Sequence, residues 1–202
     1  MINYPSGQQP PERAKAHPLA KTSAKPVNYG SRGMTLEEQI NRSNQYYLSH
    51  NLAVIHKKPT PIQVVKVNYP KRSAARITEA YYRQASTTDY NGVYQGYYID
   101  FEAKETRNKT RFPLSNLPLH QQQHMKQCQE QGGISFLLLS FRSHQKIYLL
   151  PFKAFERFQA ESKQQSLPYE FVEANGYLCQ TGYQPMIDYL AALDCYLERG
   201  ER

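Results

Sequence analysis

Three residues near the middle of the chain have types and spacing that suit one kind of chemistry. Asp89 closes the run Thr87-Thr88-Asp89, twelve residues follow, and then comes Glu102-Ala103-Lys104. In an extended backbone alternate side chains share a face. Ile99, Phe101 and Ala103 then point one way, into a core, while Asp100, Glu102 and Lys104 point the other, toward a groove. Asp89 stands ahead of a turn and can fold back beside Glu102. Two neighbouring carboxylates repel, so a cation is expected between them. Mg²⁺ suits such a place because it takes a few carboxylates and keeps several waters. Lys104 has the reach to orient the attacking water, to help deprotonate it, or to stabilise charge on the phosphorane. With a metal that polarises a phosphate and activates water, the set is sufficient for phosphodiester hydrolysis. Taken alone, the spacing also describes an ordinary amphipathic strand with a wet, charged face.

The segments around these residues predict a mixed α/β chain. Thr35-Leu36-Glu37-Glu38 has the spacing of a capping box, and a helix should run from there to about His50 with Leu36, Ile40 and Tyr47 on one side. Leu52 to Ile55 and Ile62 to Val67 have β character and flank the basic, Pro-interrupted stretch Lys57-Lys58-Pro59-Thr60-Pro61, which suggests a projecting ribbon or loop. Arg76 to Gln84 is expected to be a short helix. Tyr90-Asn91-Gly92-Val93 and Tyr94-Gln95-Gly96-Tyr97 both carry turn chemistry, and a patterned strand covers Tyr97 to Glu105. A polar helix over Asn116 to Glu130 should stop at Gly132-Gly133. Ile134 to Ser140 reads as a buried strand, Lys146 to Leu150 as another, and Phe152 to Phe158 and Pro185 to Leu197 as helices. Helices and strands in this order predict layers around a mixed sheet.

Charge narrows the function classes. The net charge is +8, and residues 51–84 hold seven basic side chains against the single acid Glu79, whereas residues 151–202 hold five basic and eight acidic ones. Such asymmetry points to a localised anionic partner. The chain has 17 tyrosines and no tryptophan, and many of the tyrosines are interleaved with the basic residues, a mixture suited to phosphate contacts and base stacking. Residues 1–33 carry five basic side chains against Glu12 and few large apolar ones, so a flexible basic arm is expected there, followed by one domain over 34–202. Cys128, Cys179 and Cys195 form no CxxC pair, which fits reduced thiols in a cytosol rather than a disulfide framework. No apolar run approaches the roughly 20 residues that span a bilayer, and Met1 to Pro11 lack the apolar core of a secretory signal. The expectation is a soluble, cytoplasmic protein. His120 and His124 are spaced as a zinc pair on one helix face, but no third ligand stands at a diagnostic spacing, and a polar helix face is the expected reading.

The Asp89…Glu102-Ala103-Lys104 arrangement resembles the PD-(D/E)xK motif of the restriction-endonuclease-like superfamily. Longer blocks resemble one member of it, the RecU family of Holliday junction resolvases. These are Asn3-Tyr4-Pro5, Arg32-Gly33-Met34-Thr35-Leu36-Glu37, His56-Lys57-Lys58-Pro59-Thr60-Pro61 and Tyr69-Pro70-Lys71-Arg72-Ser73. Ser86-Thr87-Thr88-Asp89-Tyr90-Asn91-Gly92 and Ile99-Asp100-Phe101-Glu102-Ala103-Lys104-Glu105-Thr106 complete the set. The likeness runs from about Gly30 to Ile187.

The resemblance implies a restriction-endonuclease-like core with a central mixed sheet flanked by helices and a protruding stalk at about 56–69. It implies a Mg²⁺-dependent homodimer, with Mn²⁺ the alternative ion, that nicks opposed strands of a four-way junction in recombination and repair. Metal ligands carried over by position are Thr87, Asp89, Glu102 and Gln121, the last within Gln121-Gln122-Gln123, where the assignment can slip by one. Lys104 becomes the transition-state stabiliser. A glutamate of the first helix supports sites of this superfamily, which makes Glu37 the candidate, with Glu38 assigned to capping. Lys57, Lys58, Lys71, Arg72 and Arg76 are the candidate phosphate contacts. The family is also linked to a recombinase partner. The rival readings are a nuclease of the same superfamily acting on duplex DNA and a non-catalytic junction-binding module.

Overall fold

The computed structural model describes residues 33–83 and 87–200. The expected basic arm therefore lies outside the described residues except for Gly33. In chain order the elements are α1 (Leu36–Ser49), β1 (Val54–Lys57), β2 (Ile62–Asn68), β3 (Arg76–Tyr82), β4 (Tyr90–Tyr94) and β5 (Tyr97–Thr106). Then come β6 (Arg111–Pro113), α2 (Leu119–Glu130), β7 (Ile134–Phe141), β8 (Lys146–Pro151), α3 (Phe152–Glu161) and β9 (Ser166–Pro168). The chain closes with α4 (Tyr169–Asn175), β10 (Tyr177–Thr181), β11 (Ile187–Asp188) and α5 (Tyr189–Glu198). Among the described residues no helix is long and apolar enough to cross a membrane.

Seven strands form one mixed sheet in the order β1-β4-β5-β7-β8-β10-β11. Among the described residues only β5 and β7 pair in parallel, with Glu102 opposite Leu137 and Asp100 opposite Ser135. Parallel neighbours need a crossover connection, and α2 provides it. The mixed α/β class expected from the sequence is therefore the observed one.

β7 explains why the sheet has a core on each face. All eight of its residues are buried. Ile134, Phe136 and Leu138 pack with α1 and α5 residues such as Ile40, Tyr47, Tyr189 and Leu193. Leu137, Leu139 and Phe141 pack on the other side with Met125, Phe152, Phe155 and Val172 from α2, α3 and α4. Tyr90, Phe101 and Phe136 stack face to face across β4, β5 and β7, with ring centroids 4.9 and 4.8 Å apart. This stack lies on the α1 and α5 side of the sheet and fixes the register of the strands that carry Asp100 and Glu102 on the other side.

The capping box is present: Glu38 N–H donates to Thr35 Oγ1 at 3.2 Å and Thr35 N–H to Glu38 Oε2 at 2.7 Å. Gln95 and Gly96, with φ of 50° and 84°, turn β4 into β5, the two-residue hairpin that positive φ permits.

Three expectations need correction. Residues 76–82 form a strand rather than a helix, because Arg76–Tyr82 pairs antiparallel with β2, and its Ile, Thr and Tyr residues favour extended backbone. The ribbon is thus β2 with β3, and the stretch expected as a stalk at 56–69 covers its approach and first strand. The first apolar strand lies at Val54–Lys57, displaced from Leu52–Ile55, and joins the main sheet through β4. Finally, Asn91-Gly92 sits inside β4 rather than in a turn. A Cβ on Gly92 would lie 2.1 Å from the Val54 carbonyl oxygen, so glycine is required by the close approach of β1.

Gly92→Ala should therefore destabilise the fold by roughly 1–3 kcal/mol. Thermal melting tests this: an unchanged midpoint would mean that β1 does not approach β4 so closely.

Candidate active site

The β4–β5 ladder begins with Tyr90 opposite Phe101, which places Asp89 beside Glu102. Asp89 N–H donates to Glu102 Oε2 at 3.0 Å. Lys104, two residues further on the same face, brings Nζ to 2.7 Å from Glu102 Oε1. Oε1 is paired with the Lys104 ammonium, and Oε2 with the Asp89 N–H. Asp89, Glu102 and Lys104 are thus brought together, with the difference that Glu102 is fully buried rather than facing an open groove. Burial pushes the Glu102 carboxyl up to about 7, and the Asp89 charge adds to the rise while Lys104 opposes it. A carboxylate buried at this depth beside a second carboxylate is a place where further positive charge would be favourable.

Gln121 is buried on α2, and its Oε1 has no hydrogen bond among the described residues. Helix α2 links two parallel strands and so runs opposite to them. Its His124 stands 3.3 Å from Asp100. One turn back along α2 from His124 thus parallels the step from Asp100 forward to Glu102, and that turn carries Gln121. Oxygens of Glu102, Gln121 and Asp89 would give a donor set of oxygens only, the kind that a hard divalent cation such as Mg²⁺ takes. The neighbouring residue of the glutamine run, Gln122, is occupied elsewhere, donating to the Leu117 carbonyl at 2.6 Å.

The other candidates lie in different surroundings. Thr87 Oγ1 donates to the Thr88 carbonyl at 3.5 Å. Glu37 pairs with Lys57 at 2.5 Å and is exposed. Its charge contributes to holding the Tyr90 hydroxyl above the usual range, after burial as the main cause. Lys57 and Lys58 diverge because successive residues of an extended chain face opposite sides: Lys57 turns toward α1, whereas Lys58 is part-buried against Asp100 at 2.7 Å. Lys71 and Arg76 are exposed. They flank the turn between β2 and β3, and Arg72 opens the 3₁₀ turn Arg72–Ala74 between them.

Sequence reasoning missed a second cluster. Asp100 carboxylate, His124 Nε2 and Cys128 Sγ lie within 4.8 Å of one another, ligand types able to hold a metal ion. The i, i+4 spacing of His124 and Cys128 and the position of Asp100 on the Glu102 face were the available signals.

Known proteins resemble this chain along most of its length. The family model for RecU, recombination protein U, matches residues 31–195. The chain belongs to the RecU family. Holliday junction resolvase RecU of Lactobacillus delbrueckii subsp. bulgaricus is 52% identical over 198 residues, spanning 96% of this chain and 94% of that protein. The enzyme of that name from Staphylococcus aureus is 52% identical over 197 residues, spanning 96% and 95%. Among solved structures, Hjc from Archaeoglobus fulgidus, a Holliday junction resolvase, aligns with a TM-score of 0.41 at 9% identity, covering 69% of this chain and 93% of its own. All the candidate site residues fall inside the span of the RecU match.

The buried state of Glu102 makes a signed prediction for the metal-free protein. A carboxyl whose folded value is raised stabilises the fold below its unfolded value and loses that contribution as pH rises through about 7. Melting midpoints of wild type should therefore fall between about pH 4.5 and 7 more than those of Glu102→Gln, and Mg²⁺ at pH 8 should raise wild type more than the variant. Parallel pH curves for the two would contradict the burial argument.

Proposed function

We propose that this chain is a Mg²⁺-dependent endonuclease that resolves Holliday junctions by paired phosphodiester hydrolysis, with Mn²⁺ able to replace Mg²⁺. The observation that carries the reading is the fully buried Glu102 carboxylate held beside Asp89 and Lys104 in a chain of the RecU family. Asp89, Glu102 and Gln121 would hold the ion, and Thr87, next to this set in sequence, is the fourth candidate. The bound ion supplies Lewis acidity at the scissile phosphate and a more acidic water. Lys104, held 2.7 Å from Glu102, presents its ammonium to the reacting phosphate and stabilises the charge that builds up there. Asp89 is fixed through its own backbone N–H to Glu102, so the two ligands move as a unit.

The β2–β3 ribbon supports a junction rather than a plain duplex as substrate. Among the described residues it pairs with no other strand, and almost every residue on both of its faces is exposed. Lys71 and Arg76 lie at the end remote from β1, while Tyr82, 85% exposed, and Arg83 lie at the near end. A positive, aromatic arm of this shape fits the open centre of branched DNA, with Lys71, Arg72, Arg76 and Lys57 as phosphate contacts. A homodimer follows from the substrate: a two-fold arrangement offers two sites to two strands of like polarity.

Cleavage of a labelled four-way junction beside a linear duplex, in Mg²⁺ or EDTA, tests the reading. Wild type should nick only the junction and only with Mg²⁺, and Glu102→Ala should bind the junction but not cut it. Equal cutting of both substrates would contradict junction selectivity, and binding without cutting in Mg²⁺, or in Mn²⁺ put in its place, would leave a binding module. Reversing Lys71 and Arg76 to Glu should weaken junction binding and reduce the salt slope by about one for each phosphate no longer neutralised.

A further inference from the structure

We infer that Lys58, Thr88 and Asp100 are positioning residues that set Asp89 against Glu102 without themselves touching metal or DNA. The inference rests on the reading of Asp89 and Glu102 as metal ligands. Both the β1–β4 and the β4–β5 pairings begin at Tyr90, so residues 87–89 have no strand partner to hold them. A ligand pair needs its donors fixed to within about 0.5 Å, which an unpaired segment does not provide unaided.

A buried ionic tie fills that gap in the ladder. Thr88 Oγ1 donates a short hydrogen bond to Asp100 Oδ1 and accepts one from Lys58 Nζ at 2.9 Å. Lys58 Nζ also reaches Asp100 Oδ2 at 2.7 Å, and its backbone N–H donates to the Asp89 carbonyl at 2.7 Å. With Asp89 N–H on Glu102, the main-chain groups on both sides of Asp89 are anchored, one to Lys58 and one to Glu102. Tyr98 O–H at 3.0 Å and His124 Nε2 at 3.3 Å complete the surroundings of Asp100 Oδ2.

The same distances decide against two other roles. Asp100, His124 and Cys128 have metal-ligand types, but the Lys58 ammonium already supplies the positive charge, and Thr88, Lys58 and Tyr98 already donate to the Asp100 carboxylate. Nor is Lys58 free to grip phosphate, since withdrawing it would leave Asp100 charged, fully buried and uncompensated. Buried ion pairs are poor sources of stability, and their better use is to define one geometry.

The test uses the full chain with Mn²⁺ alone, followed by calorimetry, alongside the Mg²⁺ dependence of junction cleavage and junction binding in EDTA. Lys58→Met, Asp100→Asn and Thr88→Val should each lower Mn²⁺ affinity roughly 10–100-fold, the loss usual when a residue that orients a ligand is removed. The Mg²⁺ needed for half-maximal cutting should rise in parallel, while junction binding in EDTA stays within about twofold of wild type. The Lys58→Met/Asp100→Asn double variant should be no worse than the poorer single, because the two act as one tie. Unchanged Mn²⁺ affinity would overturn the inference. So would weaker EDTA binding with a shallower salt slope in Lys58→Met but not in Asp100→Asn, since Lys58 would then be a phosphate contact. If Lys58→Met does not fold, Thr88→Val, which keeps the side-chain shape and removes one hydroxyl, decides by the same readouts. Should wild type bind Mn²⁺ yet never cut junctions, the nuclease reading fails, and the Mn²⁺ affinities of the variants still decide the positioning role.

Discussion

Asp100 and Glu102, two residues apart on one face of β5, are both fully buried. Removing an ionised carboxylate from water costs several kcal/mol even after the protein relaxes, so each must find compensation. Asp100 finds it within the chain: Lys58, Thr88, Tyr98 and His124 surround it. Glu102 finds it only in part. Lys104 pairs with one oxygen and the Asp89 N–H with the other, yet the carboxyl is still pushed up to about 7 by burial and by Asp89. One acid is fully partnered within the chain, and its neighbour, less well compensated, holds its proton more tightly.

The surrounding architecture serves this division. The stack of Tyr90, Phe101 and Phe136 fixes three strands in register from the opposite side of the sheet, so that Asp100 and Glu102 cannot exchange places by a strand slip. The crossover through α2 brings His124 to Asp100 and Gln121 to the level of Glu102. The hairpin at Gln95 and Gly96 returns β4 along β5 and delivers Asp89 to its end. The glycine at 92 lets β1 approach closely enough to hand Lys58 to the same end of the sheet.

Much of this was legible in the residues. The capping box, the alternation over 97–105, the continuous apolar run of β7 and the glycines after α2 are local patterns that tertiary structure only had to respect. What escaped was set by partners distant in sequence. Arg76–Tyr82 became a strand because β2 lies beside it, and Asn91-Gly92 kept a turn signature while pairing with β1, where a Cβ on Gly92 would meet the Val54 carbonyl. Lys57 and Lys58 looked alike as a basic pair, but strand alternation sends one to Glu37 on α1 and the other to Asp100. The spacing of Asp89, Glu102 and Lys104 announced a shared face, not that the face would be dry.

Whether the oxygens of Asp89, Glu102 and Gln121 share one divalent cation is tested most directly by Mn²⁺ soaked into crystals of the protein. The expected result is an anomalous peak within bonding distance of Glu102 Oε1, with Asp89 and Gln121 as further ligands. A peak among Asp100, His124 and Cys128 instead, with nothing at Glu102, would contradict it.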